Sequence, residues 1–346
     1  MVRISVCAIG AAFIAHMTNA TAGAREHCHD VSLPVSIAPA APKAYSLYGE
    51  LCHPETGPSQ VIQILVHGYS YDHRYWAMPI LPENYHYVKA ANAAGYTTFA
   101  IDRLGSAGAS SRPFSAAVTL TANAIALHDV IQAARMGDVD GTSYAQVLLV
   151  GHSLGTAITW IETSLYGDAD GLISTGFGHP AGNIQDLLLN TQPALLVGRL
   201  RRLIGFDAGY LTTVPGSRAG LFYHEATAAP GVIAYDEETK GLGAVSELAT
   251  LLTAEIATLT IDAPVLFVMG EHDGIFCRQE SLGGFNDCRS DATLYTSERA
   301  YFPLVDDFSA YLHPGAGHNI NLHKNAEAWH QRAIDWALMR FPPYGQ

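Results

Sequence analysis

Four short apolar runs, separated by patterns typical of helices, place the strongest constraint on the fold of this chain. The runs are 61–66, 96–101, 146–150 and 264–269. Runs of this length with so little polar alternation predict strands that are buried on both faces of a parallel sheet. Helical patterns lie between them, as at 118–136 and 154–166. The sequence therefore predicts an α/β fold in which a mostly parallel central sheet carries helices on both faces.

One stretch, from 181 to 258, interrupts this alternation with leucine-rich runs and scattered glycine and proline. We predict a mainly helical cap insertion there. Residues 25–180 then form the first part of the α/β core and residues 259–346 the second part. Hydrophobic residues make up 49% of the 346 positions, which is enough to build one large core.

The N-terminus has the composition of a targeting segment. Within residues 1–24 the only charge is Arg3, an apolar run follows at 4–15, and Ala-x-Ala patterns come after it. This layout predicts a secretory signal peptide of residues 1–24. The alternative is an uncleaved anchor, but the run is shorter than the roughly 20 residues that span a bilayer. We expect a secreted protein without a stable membrane anchor.

The cysteine content agrees with secretion. Removal of the signal peptide would leave four cysteines: Cys28, Cys52, Cys277 and Cys288. An even number in a secreted chain predicts disulfides. Proximity in sequence favours Cys28–Cys52 and Cys277–Cys288, although four cysteines allow three pairings. A metal site in the cluster at 27–30 is the alternative; because the chain has no C-x-x-C pair, we expect none.

One motif carries the candidate chemistry, the sequence Gly-His-Ser-Leu-Gly centred on Ser153. It follows an apolar run and precedes a helical pattern, which is the setting of a nucleophile elbow. Such a turn is so tight that it requires the glycines at 151 and 155, and it holds the serine in a sparsely populated backbone conformation. The alternative is a glycine-rich turn in which Ser153 only caps the following helix.

A serine nucleophile needs a histidine base oriented by a carboxylate, and on this type of scaffold they follow in the order serine, acid, histidine. Asp273 follows the run 264–269, and His318 follows a later apolar stretch. Both therefore belong at the carboxyl edge of the sheet, where Ser153 is expected. Asp273 would orient His318, and His318 would take up and return the proton.

Other residues compete for these two roles. His313 and His323 flank His318 and are alternative bases, whereas His152 adjoins the nucleophile but should point away from it. Glu271 is an alternative acid, and Asp262 lies at the wrong end of its strand.

The turn at 67–70 predicts the remaining part of the site. Gly68 lets the chain turn after a strand, so that the amide of Tyr69 can point at the reacting atoms, with the amide of Leu154 as second donor. An ordinary strand-ending turn is the alternative. Because loops after strands face the site, Trp76 and Ser70 are candidates for substrate contact.

Together the sequences HGYS, GHSLG, GEHD and PGAGH, in this order, resemble those of α/β-hydrolase-fold serine hydrolases over about residues 44–342. The resemblance implies hydrolysis of an ester, lactone, thioester or amide through an acyl-enzyme, without a cofactor. The chain departs from the family in the loop 102–110, which carries an extra residue between its glycines; we interpret this loop as structural.

Other functions are disfavoured by the sequence. The chain has no Walker A motif, no G-x-G-x-x-G and no H-E-x-x-H. Its net charge of −13 does not suit a nucleic-acid partner. We therefore predict a secreted, cofactor-free and metal-free serine hydrolase that acts on a small to medium apolar ester or lactone. The alternatives are a lyase or perhydrolase with the same triad, and a non-catalytic ligand-binding protein on this fold.

Overall fold

The structure of the protein is a computed structural model that describes residues 27–81, 84–180, 184–277 and 286–344. The predicted signal peptide and Cys7 lie outside the described residues. The strands are β1 (Cys28–Val35), β2 (Tyr45–Cys52), β3 (Val61–Val66), β4 (Thr97–Ile101), β5 (Gln146–His152), β6 (Gly171–Thr175), β7 (Thr191–Pro193), β8 (Tyr210–Thr213), β9 (Gly243–Ala244), β10 (Val265–Gly270) and β11 (Phe308–His313).

Helices of very different length connect these strands. They are α1 (Tyr87–Ala93), α2 (Leu120–Met136), α3 (Leu154–Tyr166), α4 (Ile184–Leu189), α5 (Gly198–Ile204), α6 (Arg218–Phe222), α7 (Pro230–Thr239), α8 (Val245–Ala249), α9 (Leu251–Ala257), α10 (Asp291–Glu298) and α11 (Ala326–Arg340). Short 3-10 turns lie at His73–Tyr75, Ser115–Ala117, Ala194–Leu196, Thr258–Thr260, Arg299–Tyr301 and Ile320–Leu322.

Eight strands form the central sheet, in the order β1-β2-β4-β3-β5-β6-β10-β11. In this sheet the six strands β4, β3, β5, β6, β10 and β11 pair in parallel, whereas β1 and β2 form an antiparallel edge. All four apolar runs are strands, and β3, β4 and β10 are buried along their whole length. The predicted fold class is therefore confirmed. The runs are apolar throughout because both faces of these strands are covered.

Helix bounds follow from local capping. Helix α2 begins where the Thr119 side chain accepts a hydrogen bond from the Ala122 amide, and it ends at Gly137, whose φ of 82° is left-handed. Helix α2 packs on α3, and α1 packs on α11. Helix α3 starts directly after β5, so that its first turn lies at the carboxyl edge of the sheet.

The segment between β6 and β10 corresponds to the predicted cap insertion. We use the name cap insertion for residues 184–258. Helices α4 to α9 dominate it, as expected. A small antiparallel sheet in the order β7-β8-β9 was not predicted, because strands of two to four residues are too short to show a period. The limits at 181 and 258 remain predictions.

Two disulfides have the predicted pairing. Cys28–Cys52 joins the paired strands β1 and β2, and Cys277–Cys288 bridges the chain after β10. Within the described residues, no helix is both long and apolar enough to cross a bilayer.

Candidate active site

Ser153 occupies a strained turn between β5 and α3. Its φ is +53°, which is rare for a residue other than glycine. A Cβ atom at Gly151 would lie 2.5 Å from Thr156 Cα, and one at Gly155 would lie 2.1 Å from the Val66 carbonyl oxygen. Only glycine fits at these two positions. Although Ser153 is the N-cap of α3, its side chain makes no capping hydrogen bond, so its hydroxyl is available for another contact.

That contact is with His318. The distance from Ser153 Oγ to His318 Nε2 is 2.9 Å, and the distance from His318 Nδ1 to Asp273 Oδ2 is 2.8 Å. His318 and Asp273 are buried. The second oxygen of Asp273 accepts the amides of Ile275 and Phe276 at 2.9 and 3.1 Å, which fixes the rotamer of the carboxylate. The three predicted residues thus form one continuous hydrogen-bonded chain.

The competing histidines lie elsewhere. Burial lowers the pKa of His313 to about 4, and its ring nitrogens have no partner among the described residues. His152 is buried, and its Nδ1 lies 3.2 Å from the Thr175 hydroxyl. His323 Nε2 accepts the amide of Gly317 at 3.0 Å. His323 therefore holds the loop that presents His318 instead of acting as the base.

The competing acids are also removed from His318. Glu271 Oε2 accepts the amide of Gly315 at 2.8 Å and so braces the same loop from outside. Asp262 is exposed before the start of β10, at the opposite end of that strand from Asp273.

The turn after β3 lies against the nucleophile. A Cβ atom at Gly68 would be 3.1 Å from Ser153 Cβ, so the backbone at 67–69 approaches the site closely. Tyr69 and Leu154 line the same cavity as Ser153. In the described part of the chain no hydrogen bond uses the amide of either residue. Their role as oxyanion donors stays a prediction.

A narrow cavity of about 380 Å³, including its opening, adjoins Ser153. Apart from Ser153 itself, its walls come from apolar and aromatic side chains of both the core and the cap insertion. They are Tyr69, Leu154, Phe177, Ile184, Leu187, Leu248, Leu251, Ile275 and Phe276. An uncharged, apolar group is what such walls accept.

Two predicted substrate contacts are wrong. Trp76 is fully buried, and its ring packs among those of Tyr75, Tyr87 and Trp329, because the 3-10 turn after β3 carries the chain back into the core. Ser70 is also fully buried, and its hydroxyl accepts a hydrogen bond from Arg218 at 2.8 Å. Neither lines the described cavities at Ser153.

The loop 102–110 has the structural role that the sequence indicates. Buried Asp102 accepts hydrogen bonds from the His73 amide through Oδ1 and from the Ala109 amide through Oδ2, at 2.8 and 2.7 Å. A Cβ atom at Gly108 would lie 1.9 Å from Asp102 Oδ2, so this glycine is required for the loop to close around the carboxylate.

Sequence reasoning missed two buried arginine–carboxylate pairs that connect the cap insertion to the turn after β3. In the first, Arg103 donates to the carbonyl oxygens of His67 and Gly68 at 2.9 and 3.1 Å and pairs with Glu247 of α8. Burial raises the pKa of Glu247, and Arg103 opposes that shift. Arg103 thereby holds the backbone of the turn that precedes Tyr69.

The second pair contacts the same turn at Ser70, whose hydroxyl accepts a hydrogen bond from Arg218. Arg218 of α6 makes two hydrogen bonds with Asp236 of α7, at 2.8 and 2.9 Å. Burial lowers the pKa of Arg218, but Asp236 together with Tyr71 and Tyr223 more than offsets this effect, and the net shift is upward. The Asp236 carboxylate also accepts the hydroxyl of Tyr71 at 2.9 Å. Nothing local in the sequence distinguishes these residues, because the partners come from separate elements.

Tyr71 extends this pair to the loop of the base. Its hydroxyl accepts a hydrogen bond from the side chain of Asn319, the residue after His318. The cap insertion is therefore connected through buried polar contacts to both the turn after β3 and the histidine loop.

The sheet order and the nucleophile turn at its centre define an α/β hydrolase. The chain belongs to the alpha/beta hydrolase family, whose model matches residues 63–331. A comparison with curated protein sequences gives no significant match.

Solved structures show the same fold at low identity. A monoacylglycerol lipase from Paleococcus ferrophilus matches with a TM-score of 0.56 and 18% identity, over 85% of this chain and 99% of that one. A thermophilic esterase from Thermogutta terrifontis matches with a TM-score of 0.58 and 17% identity, over 90% and 98%. A Butyrivibrio proteoclasticus protein solved with ferulic acid matches with a TM-score of 0.53 and 15% identity, over 86% and 96%.

Proposed function

We propose that the protein is a secreted serine hydrolase that cleaves a carboxylic ester or lactone through an acyl-enzyme on Ser153. The observation that carries this proposal is the chain of contacts from Ser153 Oγ to His318 Nε2 and from His318 Nδ1 to Asp273, each under 3 Å. Esterases and lipases among the structural neighbours and the two disulfides agree with it.

The proposed reaction has two steps. His318 takes the hydroxyl proton of Ser153 as the oxygen attacks the carbonyl carbon, and then gives that proton to the leaving alcohol. A water molecule, deprotonated by the same histidine, next attacks the acyl-enzyme; the bond from the acyl carbon to Ser153 Oγ breaks, His318 returns the proton to Oγ, and the acid leaves. Asp273 holds the tautomer in which Nε2 is the base and stabilises the imidazolium that forms.

The negative charge on the carbonyl oxygen would be held by the amides of Tyr69 and Leu154. The amide of Leu154 lies at the start of α3, where the helix dipole favours an anion. One such donor stabilises the transition state by about 2.7–4 kcal/mol. The turn carrying Tyr69 is held by Arg103, so this donor would be positioned before substrate arrives.

The cavity supports an apolar acyl group of small to medium size. Among the residues that the structure describes, no charged side chain lines it, so a charged acyl group would lose its hydration without a partner. Leu187, Leu248 and Leu251 of the cap insertion line the cavity together with Ser153, so a bulky chain would have to displace side chains of this kind.

The first test is hydrolysis of p-nitrophenyl esters from acetate to palmitate, with Ser153→Ala as the paired control. We expect turnover with the shorter chains and its loss in the variant. Fluorophosphonate labelling of the wild type, absent in Ser153→Ala, checks that the serine is activated. Labelling without turnover on any ester would support a binding protein instead, and products other than acid and alcohol would support a lyase or perhydrolase.

A further inference from the structure

A second group of convergent polar side chains lies toward the far end of α3 from Ser153. His128 of α2, Glu162 of α3 and Asp168, just after α3, each contribute one nitrogen or oxygen atom, and these atoms lie within 4.8 Å of one another. Glu162 is nine residues beyond Ser153, or roughly 13 Å along the helix at about 1.5 Å per residue. The proposed hydrolysis makes no use of these residues.

Three atoms of this group are buried without a hydrogen-bond partner in the described chain: His128 Nδ1, Glu162 Oε1 and Asp168 Oδ1. His128 Nδ1 lies 2.7 Å from Asp168 Oδ2 and 3.7 Å from Glu162 Oε1, yet neither contact has the geometry of a hydrogen bond. The Glu162 side chain is fully buried. Buried polar atoms nearly always have partners, so the unpartnered His128 Nδ1 and Glu162 Oε1, 3.7 Å apart beside Asp168, indicate a shared ligand.

The charge of the group indicates which ligand. Glu162 is fully buried next to Asp168, and two carboxylates so close to each other resist joint ionisation. A proton shared between the two carboxyl groups would relieve that repulsion but would leave His128 Nδ1 without a partner. A divalent cation relieves it and accepts a lone pair from all three atoms.

We propose that His128, Glu162 and Asp168 bind a divalent transition-metal cation, with Zn²⁺ as the best match. One imidazole nitrogen and two carboxylate oxygens are ligand types that Zn²⁺ accepts. The side chains of His128 and Asp168 are 25% and 16% exposed, so an ion can enter and a water molecule can complete four-coordination.

Contacts outside the three ligands support their orientation. Gln132 donates to Asp168 Oδ2 at 2.7 Å. The ring of Tyr166 stacks on that of His128 with 3.7 Å between centroids. Such outer contacts are the usual means of fixing metal ligands. A cation here would join α2 to the end of α3 and would act on stability, not on the hydrolysis.

A second cluster of the same residue types provides a matched control. Asp72, His73 and Asp102 also converge, but their polar atoms are satisfied within the protein. Asp102 Oδ1 accepts both the amide and the ring Nδ1 of His73 at 2.8 Å, and Asp102 Oδ2 accepts the Ala109 amide. We expect no cation at this second cluster.

The test is a zinc titration of the chelator-treated mature protein, with bound metal measured by mass spectrometry and unfolding followed by heating. We expect about one zinc ion per chain and a rise in Tm of about 3 °C or more at saturation. Turnover of the best ester should be the same with and without zinc, which separates this proposal from the proposed function.

Variants locate the ion. His128→Gln and Glu162→Gln keep hydrogen-bonding side chains but should lose the bound zinc and the zinc-dependent rise in Tm, whereas the matched variant His73→Gln should keep both. Failure of the wild type to bind zinc, manganese or nickel would overturn the proposal and leave a shared proton as the explanation. Zinc retained by both His128→Gln and Glu162→Gln would also overturn it, because the ion would then lie elsewhere.

Discussion

The carboxyl edge of the sheet and the cap insertion use polar side chains in different ways. At the sheet edge, Ser153, Asp273 and His318 lie in turns that follow strands, and their side chains form one hydrogen-bonded chain from Ser153 through His318 to Asp273. The cap insertion instead contributes to two buried arginine–carboxylate pairs that contact the turn after β3, namely Glu247 with Arg103 of the core and Arg218 with Asp236. In the proposed function the first group would supply the reacting atoms, whereas the second holds a backbone segment in place.

The two regions therefore contribute to the site in different ways. Strand ends place side chains accurately because the sheet is rigid and its strands are apolar throughout. A cap built from short helices has no such frame, and apolar contacts alone specify its position less strictly. Buried ion pairs with satisfied hydrogen bonds fix the position of the cap insertion more strictly because hydrogen bonds are directional, although such pairs contribute little net stability.

The largest effect is expected from Asp273→Asn, which tests the sheet edge alone. Asparagine keeps the shape but favours the wrong tautomer of His318, so we expect kcat to fall by roughly 10⁴-fold. Tm should change little, because the amides of Ile275 and Phe276 retain an acceptor. Ester turnover and thermal unfolding measure the two effects, and a fall under tenfold would remove Asp273 from the triad.

Arg218→Met tests the cap insertion. It leaves the Asp236 carboxylate buried without its cation, which should lower the free energy of unfolding by about 3–5 kcal/mol and reduce kcat more than it raises KM. The matched control is Arg340→Met, which breaks a partly exposed pair with Asp307 and should cost under about 1 kcal/mol. Equal losses in the two variants would show that the buried pair has no special role.

A pH-dependent effect is expected at the end of β11. Burial, and then the neighbouring His323, lower the pKa of His313 from 6.5 to about 4. The unfolded chain therefore binds this proton more readily, and stability is lost as the pH falls from 6.5 towards 4. His313→Leu removes this titration. The free energy of unfolding of the variant minus that of the wild type should therefore be roughly 2 kcal/mol larger at pH 5 than at pH 8. Denaturant unfolding at both pH values checks this, and an unchanged difference would show that His313 does not titrate there.

The smallest effect concerns the cavity wall shared by the two regions. Leu251 of α9 lines the cavity, whereas its neighbour Leu252 is 72% exposed. Leu251→Ala should shift the ester preference by about two to four carbons towards longer chains, with a selectivity change of roughly tenfold. Leu252→Ala should leave the profile as it is. A chain-length profile that is the same in both variants would place the acyl group elsewhere.

Much of the fold could be predicted from the sequence, because buried parallel strands are apolar on both faces. The run 61–66 has the bounds of β3, and the other three runs differ from their strands by one or two residues at an end. Strands β1 and β2, at the antiparallel edge, were not predicted, because their burial alternates irregularly. The prediction that Trp76 contacts substrate was wrong, because a position shortly after a strand does not determine which way the chain turns there.

The sequence by itself determined four strands of the central sheet, the glycine-bounded turn at Ser153 and the places of Asp273 and His318 after later apolar runs, since each depends on residues close together in the chain. Only the tertiary structure decided that His318 and neither His313 nor His323 meets Ser153, and which carboxylates pair with Arg103 and Arg218. Those partners are far apart in sequence, and the order of strands in the sheet together with the docking of the cap insertion sets their distances.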